Sequence, residues 1–281
     1  MAPAIGTRRV KDIVANITYR LLVADVDGTL AEGGAPVPEP LVKALLEFRA
    51  RGGLFTLATG RGPLAARRYL EQLAVTTPAI LYNGAWLYDP VGRRPLSEKT
   101  LPAEFSATFL RWLATKALDV VAYRGEEVLV ANLSPRLDQH FQKDGDGHRP
   151  VPGWDRVNPA GLNKFLLISS ADPCLPFVQS FPREAAMVNW IQSENDYWEV
   201  LPAGVSKGSA LRELAAYLDL SCDEVAAAGD HLNDREMLAA AGWGVAVQNA
   251  HPDLKAVARY VTAGRSWRGV LELLNPYLHQ C

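Results

Sequence analysis

Cysteine is scarce in this chain: Cys174, Cys222 and Cys281 are odd in number, far apart and without a CxxC pair. That argues against a disulfide framework and against a structural zinc site, and it fits a reducing compartment. Surplus basic charge is missing too. The 29 Lys and Arg residues are balanced by 31 Asp and Glu, a formal net charge of −2, so no positive footprint is left to neutralise nucleic-acid phosphates or anionic lipid. No apolar run approaches membrane-spanning length, and the basic segment Met1 to Arg20 has no apolar stretch of signal-peptide length. These absences predict a cytoplasmic protein, monomeric or homodimeric, whose partner is a small molecule and neither nucleic acid nor a membrane.

What is present is an apolar content of 48% over 281 residues, enough for one large core or two smaller ones. The chain reads as a strand at Tyr19 to Ala24, a Gly/Pro-rich loop, a helix at Pro40 to Arg51, a strand at Leu54 to Ala58 and a helix at Pro63 to Leu73. The pattern returns at the far end, with helix Lys207 to Leu218, strand Glu224 to Ala228, helix Asp234 to Ala241, strand Trp243 to Val247 and helix Pro252 to Tyr260. Such alternation predicts a parallel sheet covered by helices.

Between the two ends the texture changes. A helix at Pro102 to Lys116 is followed by short strands at Val120 to Tyr123 and Glu127 to Asn132, and by a Gly/Pro-interrupted stretch from Lys143 to Gly161. A strand at Lys164 to Ser169 comes next, then two apolar runs, Met187 to Gln192 and Tyr197 to Leu201, around a Ser-Glu-Asn-Asp hairpin turn. Five of the seven tryptophans (Trp86, Trp112, Trp154, Trp190, Trp198) fall in this α+β insert. They supply either a stacking surface for a ligand or the bulky side chains of the insert's own core.

The chemistry-bearing residues sit at strand ends. In Leu21-Leu22-Val23-Ala24-Asp25-Val26-Asp27-Gly28-Thr29-Leu30 an apolar strand runs into two carboxylates spaced i, i+2, which places both on one side of the extended chain. Two such charges repel unless a cation lies between them or one is protonated. Mg²⁺ resolves this, since it takes carboxylate oxygens, keeps waters and accepts a phosphate oxygen. One aspartate then suits a nucleophile that accepts a phosphoryl group, and the other an acid and base. The same four residues, Asp-x-Asp-Gly, also make an ordinary turn.

Three further elements carry the same ambiguity. In Ala58-Thr59-Gly60-Arg61, Thr59 and the N–H groups around Gly60 can bind phosphate oxygens, or Thr59 can cap the next helix. Lys207, in Gly204-Val205-Ser206-Lys207-Gly208, stands in the first turn of a helix, against its dipole, which points to a nearby anion; an exposed lysine is the alternative. In Gly229-Asp230-His231-Leu232-Asn233-Asp234, Asp230 is placed to complete a metal site and Asp234 to support Lys207 or the metal waters, or only to begin a helix. His231 and His251 lack a second ligand at metal-binding spacing and read as incidental.

Taken in order, DVDGTL (25–30), ATGR (58–61), SKG (206–208) and GDHLND (229–234) resemble the four signature motifs of the haloacid dehalogenase superfamily. The resemblance implies Asp25 as nucleophile, Asp27 as general acid and base, and Thr59, Gly60, Lys207 and Asn233 as phosphoryl-binding residues. It also implies a magnesium site made by Asp25, Asp230 and the main-chain carbonyl of Asp27, supported by Asp234. An insert between the second and third motifs is similar to the large cap of the Cof-type branch (class IIB). Leu81-Tyr82-Asn83-Gly84-Ala85 resembles the segment that precedes that cap, making Asn83, with Arg61, a candidate substrate contact. The departure from the family pattern is His231-Leu232.

The fold class expected is therefore α/β, a Rossmann-like parallel-sheet core formed by residues 1–84 and 200–281 with an α+β cap at 85–199. The function expected is magnesium-dependent hydrolysis of a small phosphomonoester, a sugar phosphate or related metabolite, through an aspartyl phosphate. A phosphosugar mutase would use the same motifs, and a catalytically idle phosphometabolite-binding protein could keep them. A dehalogenase needs neither Asp27 nor a metal. A nicotinamide-dependent enzyme is disfavoured because no GxGxxG follows a strand.

Overall fold

The computed structural model describes residues 19–145, 147–194 and 196–278. The basic segment before Tyr19, Asn195 of the hairpin turn and Cys281 lie outside the described residues. The chain begins with β1 (Leu21–Ala24), α1 (Glu39–Ala50), β2 (Leu54–Leu57), α2 (Pro63–Gln72), β3 (Ala79–Leu81), β4 (Trp86–Asp89) and β5 (Arg94–Glu98). It continues through α3 (Ala103–Leu113), β6 (Asp119–Arg124), β7 (Glu127–Val130), α4 (Pro135–Asp144), β8 (Arg149–Pro150), β9 (Lys164–Ile168), α5 (Leu175–Ser180), α6 (Pro182–Ala185), β10 (Val188–Glu194) and β11 (Tyr197–Pro202). The last part is α7 (Lys207–Tyr217), β12 (Val225–Gly229), α8 (Arg235–Ala240), β13 (Trp243–Ala246), α9 (Pro252–Val257), β14 (Tyr260–Val261) and α10 (Trp267–Leu278).

Five strands form a parallel core sheet in the order β14-β13-β12-β1-β2. β1 lies between β12 and β2 and is buried on both faces, which is why Leu21 to Ala24 read as an unbroken apolar run. Because β2, β1 and β12 are neighbours and parallel, their carboxyl ends deliver Thr59, Asp25 and Asp230 to one edge of the sheet, the side on which open α/β sheets bind ligands.

The expected helix Pro252 to Tyr260 is corrected by the structure. It ends at Val257, and Tyr260–Val261 pairs with Val245 and Ala246 as the edge strand β14. A β-branched and an aromatic residue beside an open sheet edge gain more from that ladder than from another helical turn.

A separate sheet of six strands, order β10-β11-β9-β6-β7-β8 and antiparallel apart from the β7–β8 pair, forms the cap. Its strands alternate with period two. Phe165, Leu167, Val120, Ala122 and Val200 point outward into a layer with α3, α5 and α6, where Phe105, Phe109, Trp112 and Phe177 meet at ring centroid distances of 4.9 to 5.8 Å. Lys164, Leu166, Tyr123 and Glu199 occupy the opposite face, toward the core domain and the cavity described below. Trp112, Trp154, Trp190 and Trp198 belong to or pack against the outer cluster, Trp86 is buried in the main core, and none lines the cavity. The tryptophans are core material.

A third, small sheet, β3-β4-β5, leans on the core through a bridge between Ala58 and Ile80. Beside it, Gly84 (φ +102°) passes so close to the start of α7 that a Cβ would lie 2.2 Å from the Ser206 carbonyl oxygen. Only glycine fits there. Among the described residues no helix is long and apolar enough to cross a membrane.

Candidate active site

β1 runs into Asp25, and the chain then turns at Gly28 (φ +80°), with the Leu30 and Ala31 N–H groups donating to the Val26 carbonyl. A Cβ on Gly28 would stand 2.2 Å from Asp230 Oδ2, so the missing side chain is what lets the turn press against the third carboxylate. Asn249 holds the same turn from the other side by donating to the Gly28 carbonyl at 2.9 Å.

Lys207 opens α7 after Ser206, whose hydroxyl accepts the Ser209 N–H at 3.1 Å while the Ser209 hydroxyl accepts the Ser206 N–H at 3.0 Å. That reciprocal cap fixes where the helix begins, and hence where the lysine points. Its Nζ, fully buried, donates to Asp25 Oδ1 and to Asp234 Oδ1, both at 2.7 Å. Burial opposes its charge, but the two carboxylates outweigh burial and raise its pKa above the ordinary lysine value. Asp234 is equally buried and also accepts the Asp230 and His231 N–H groups, at 2.9 and 3.2 Å. Asp234 thus fills both roles open to it, supporting Lys207 through Oδ1 and closing the helical turn that starts at His231 through Oδ2.

Oxygens of Asp25, Asp230 and Asp234 lie within 4.8 Å of one another. Burial raises the Asp25 pKa well above its usual value; Lys207 opposes this, while Asp234, Asp230 and Asp27 add to it. Asp230, whose Oδ1 accepts the Thr29 hydroxyl at 2.9 Å, is pushed up to about 7 by burial and by the charge of Asp234. Crowded carboxylates of this kind are the hard-oxygen donor set that suits Mg²⁺. Asp25 and Asp230, which line the cavity, fit that ion, while the oxygens of Asp234 are taken up by Lys207 and by the Asp230 and His231 N–H groups behind them.

Asp27 behaves differently. Burial pushes its pKa up, but Arg61 grips both oxygens at 2.8 Å, and the net effect lowers it. Arg61 Nη1 also reaches Asp144 Oδ1 of α4 at 2.9 Å. The expectation of Arg61 as a substrate contact therefore meets a guanidinium already shared by two carboxylates, one from the core domain and one from the cap. Thr59 accepts the Arg61 N–H on its hydroxyl oxygen at 3.1 Å, which leaves the hydroxyl hydrogen unused by that bond. Asn233 lines the cavity, and its Oδ1 is a buried acceptor with no hydrogen-bond partner among the described residues. Asn83 lies behind it, donating to Glu199 at 2.9 Å and accepting from Asn233 at 3.1 Å.

The cavity, about 490 Å³, is bounded by Asp25, Asp27, Thr59, Gly60, Asp230 and Asn233 below. Its upper wall comes from the cap, including Tyr123, His140, Lys143, Lys164, Ser193 and Tyr197. None of these cap residues was marked by the sequence motifs. His231, read as incidental for want of a second metal ligand, also lines the cavity, carried there together with Asp230 by the turn after β12. The helix α4, which brings His140, Lys143 and Asp144, had a local signature in Ser134 at its N-cap, Pro135 in its first turn and Gly145 at φ +73° after it.

His140 is buried, with Nε2 3.1 Å from the Tyr123 hydroxyl and Nδ1 3.1 Å from the Tyr197 hydroxyl. Burial lowers its pKa from 6.5 to about 4; Asp144 opposes this, and Lys164, Lys143 and Arg61 reinforce it. A histidine held neutral in the fold contributes stability above the unfolded value of 6.5 that is lost as pH falls toward 4. At about 1.4 kcal/mol per pH unit the loss reaches about 3 kcal/mol. Urea melts at pH 7 and pH 5 should show a smaller drop for His140→Gln than for the wild type, and equal drops would refute the assignment.

A parallel sheet with a buried lysine between two carboxylates, a third carboxylate beside them and an inserted antiparallel cap defines a class of enzyme acting on small anionic substrates. The chain matches the haloacid dehalogenase-like hydrolase family over residues 22–274 and belongs to it. Phosphatase YwpJ of Bacillus subtilis is 28% identical over 92% of this chain and all of its own length. An HMP-PP phosphatase of Serratia proteamaculans is 34% identical over 85% of this chain and 87% of its own. Among solved structures, a haloacid dehalogenase-like hydrolase from Bacteroides thetaiotaomicron superposes with a TM-score of 0.82 at 25% identity, covering 92% of this chain and 98% of that one. A HAD/COF-like hydrolase from Plasmodium vivax superposes at 0.83 with 23% identity, covering 96% of this chain and 99% of that one. The chain is a phosphatase of this family, and its fold, cap included, is that of the HAD/COF-like hydrolase it superposes on.

Proposed function

We propose that this phosphatase hydrolyses a small phosphomonoester, a sugar phosphate or related metabolite, with Mg²⁺, through a phosphoryl group carried on Asp25. The observation that carries the reading is the Lys207 bridge between Asp25 and Asp234 at 2.7 Å each, buried directly beneath a cavity whose floor Asp25 lines. The cap wall presents the Ser193 hydroxyl together with the Tyr123 and Tyr197 hydroxyls that His140 holds in place, a polar lining that suits a polyhydroxylated leaving group.

Lys207 occupies Oδ1 of Asp25, so Oδ2 attacks phosphorus in line. An Asp25–phosphorus bond forms, the bond from phosphorus to the leaving oxygen breaks, and Asp27 gives that oxygen its proton. Asp27, again ionised, then takes a proton from water, whose oxygen attacks the aspartyl phosphate, releases inorganic phosphate and restores Asp25. Thr59, Lys207 and Asn233 hold the phosphoryl oxygens. The grip of Arg61 favours the ionised Asp27 needed in the second half; loosening it allows the protonated form needed in the first, and Asp144 is in place to keep the guanidinium. Asp25, Asp230 and the Asp27 carbonyl would hold Mg²⁺, which when bound neutralises charge on carboxylate and phosphoryl oxygens.

Chelation followed by gel filtration should lower inorganic phosphate release from a panel of phosphomonoesters at least about a hundredfold, and added Mg²⁺ should restore it. Full activity in the chelated protein would remove the metal from the proposal. Isomerised sugar phosphate without inorganic phosphate would identify a mutase instead.

A further inference from the structure

Lys164 and Glu199 lie on the inner face of the cap sheet, on the adjacent strands β9 and β11, and form an ion pair at 2.8 Å with both side chains almost fully buried. Such a pair gains little stability over apolar side chains of the same volume, because desolvating the charges offsets their attraction. Its placement points to another role. Lys164 Nζ also donates to the Gly60 carbonyl at 2.8 Å and stands over the Tyr123 ring at 4.8 Å. Glu199 accepts from Asn83, which in turn accepts from Asn233. The ion pair thus reaches the loops that follow β2, β3 and β12.

The Gly60 carbonyl belongs to the same trans peptide as the Arg61 N–H, so the two point in opposite directions. With the carbonyl bound by Lys164, the N–H is aimed at Thr59 Oγ1, 3.1 Å away. That bond uses an acceptor site of the hydroxyl and leaves its hydrogen for the cavity. Two further observations show how closely the cap is seated on this loop. A Cβ on Gly60 would lie 3.0 Å from Asn83 Nδ2 and 3.2 Å from Glu199 Oε1. Tyr82 and Asn83 both take left-handed backbone conformations (φ 51° and 52°), which side chains other than glycine adopt only when surroundings hold them there; their N–H groups donate to the Arg61 and Thr59 carbonyls at 3.0 and 2.9 Å.

We propose that the Lys164–Glu199 pair of the cap is a positioning device for the phosphoryl-binding loop: by fixing the Gly60–Arg61 peptide and Asn83 it sets the aim of the Thr59 hydroxyl. The proposal deepens the phosphatase reading and rests on it for Thr59. Lys164 and Glu199 act through the loop, and their effect extends to substrates too small to reach the cap wall.

The test combines Lys164→Met, Glu199→Gln and Thr59→Val with amide exchange and kinetics on p-nitrophenyl phosphate and a hexose phosphate. Lys164→Met should lower kcat about tenfold or more for both substrates, in line with the cost of sub-ångström misplacement, and should speed exchange of the Arg61 amide at least about tenfold while β1 stays protected. Glu199→Gln, which keeps an acceptor for Asn83, should have a smaller effect in the same direction. In the double variant, Thr59→Val should cost little beyond Lys164→Met, because the hydroxyl is already misdirected.

Fully additive losses, an unchanged Arg61 amide, or a change confined to KM for the hexose phosphate would overturn the proposal, the last by making Lys164 a substrate contact. Glu199→Gln carries the same exchange and additivity tests if Lys164→Met does not fold. Absence of turnover in the wild type would defeat the phosphatase reading, while the exchange result would still decide whether the pair holds the loop.

Discussion

Asp25→Asn should reduce turnover by at least about 10⁴-fold while leaving the melting temperature unchanged or raised, the scale seen when a nucleophile is removed from a group of residues acting as a unit. The amide keeps the shape of the side chain and an oxygen for Lys207, so the packing around a nearly buried position survives. It cannot attack phosphorus. Stability moves the other way because folding places ionised Asp25 in a buried site beside Asp234, Asp230 and Asp27, which is why its pKa is raised; a neutral side chain escapes that repulsion. Steady-state assays together with thermal melts in chelator check both halves. A variant that turned over at the wild-type rate would end the nucleophile assignment, and one that failed to fold would show that the carboxylate is structural.

Lys207→Met should have the second largest effect, and here activity and stability fall together. Methionine fills the space but removes the cation shared by Asp25 and Asp234, leaving the fully buried Asp234 with the Asp230 and His231 N–H groups but without its lysine. Breaking a buried pair in this way costs about 3–5 kcal/mol, with a loss of turnover of about 10³-fold or more from the missing electrostatic support. Adding Asp234→Asn should recover most of the stability and none of the turnover. Urea melts and kinetics of the single and double variants separate the two contributions; if the double variant is no more stable than the single, the buried carboxylate is not the source of the loss.

The catalytic floor was legible because each of its parts is local and chemically costly. Two aspartates at i, i+2 after an apolar strand, and a lysine in the first turn of a helix, are arrangements a chain does not keep without a partner, and the structure brings Asp25, Lys207, Asp230 and Asp234 together. The parallel core was legible for a related reason: strands buried on both faces are written as short apolar runs between helices.

The cap wall was not legible. Tyr123, His140, Lys164 and Glu199 each look like an ordinary polar residue in a strand or helix, and only the folding of one sheet over another sets them against Gly60 and Asp27. Arg61 is the clearest case. Its motif was visible, but its second partner, Asp144, is 83 residues away in a helix whose start and stop signals, Ser134 and Gly145, fall beside a stretch dominated by Gly and Pro. Period-two alternation in β6 and β9 could have separated the inward Tyr123 and Lys164 from the outward Ala122 and Phe165, though it does not tell which face meets the ligand.

The order of strands in the core sheet also bears on how the protein is made. β1 lies between β2, which follows it closely, and β12, whose Val225 pairs with Leu21 about 200 residues later. As the chain leaves the ribosome, the cap is completed while one edge of β1 still has no neighbour, and pairings of such long sequence separation form slowly. Asp25 therefore waits for Lys207 and Asp230, and the turn that follows it waits longer still for Asn249. A truncated product ending within the cap would expose the unpaired edge of an apolar strand, so translational completion is a condition both for activity and for solubility.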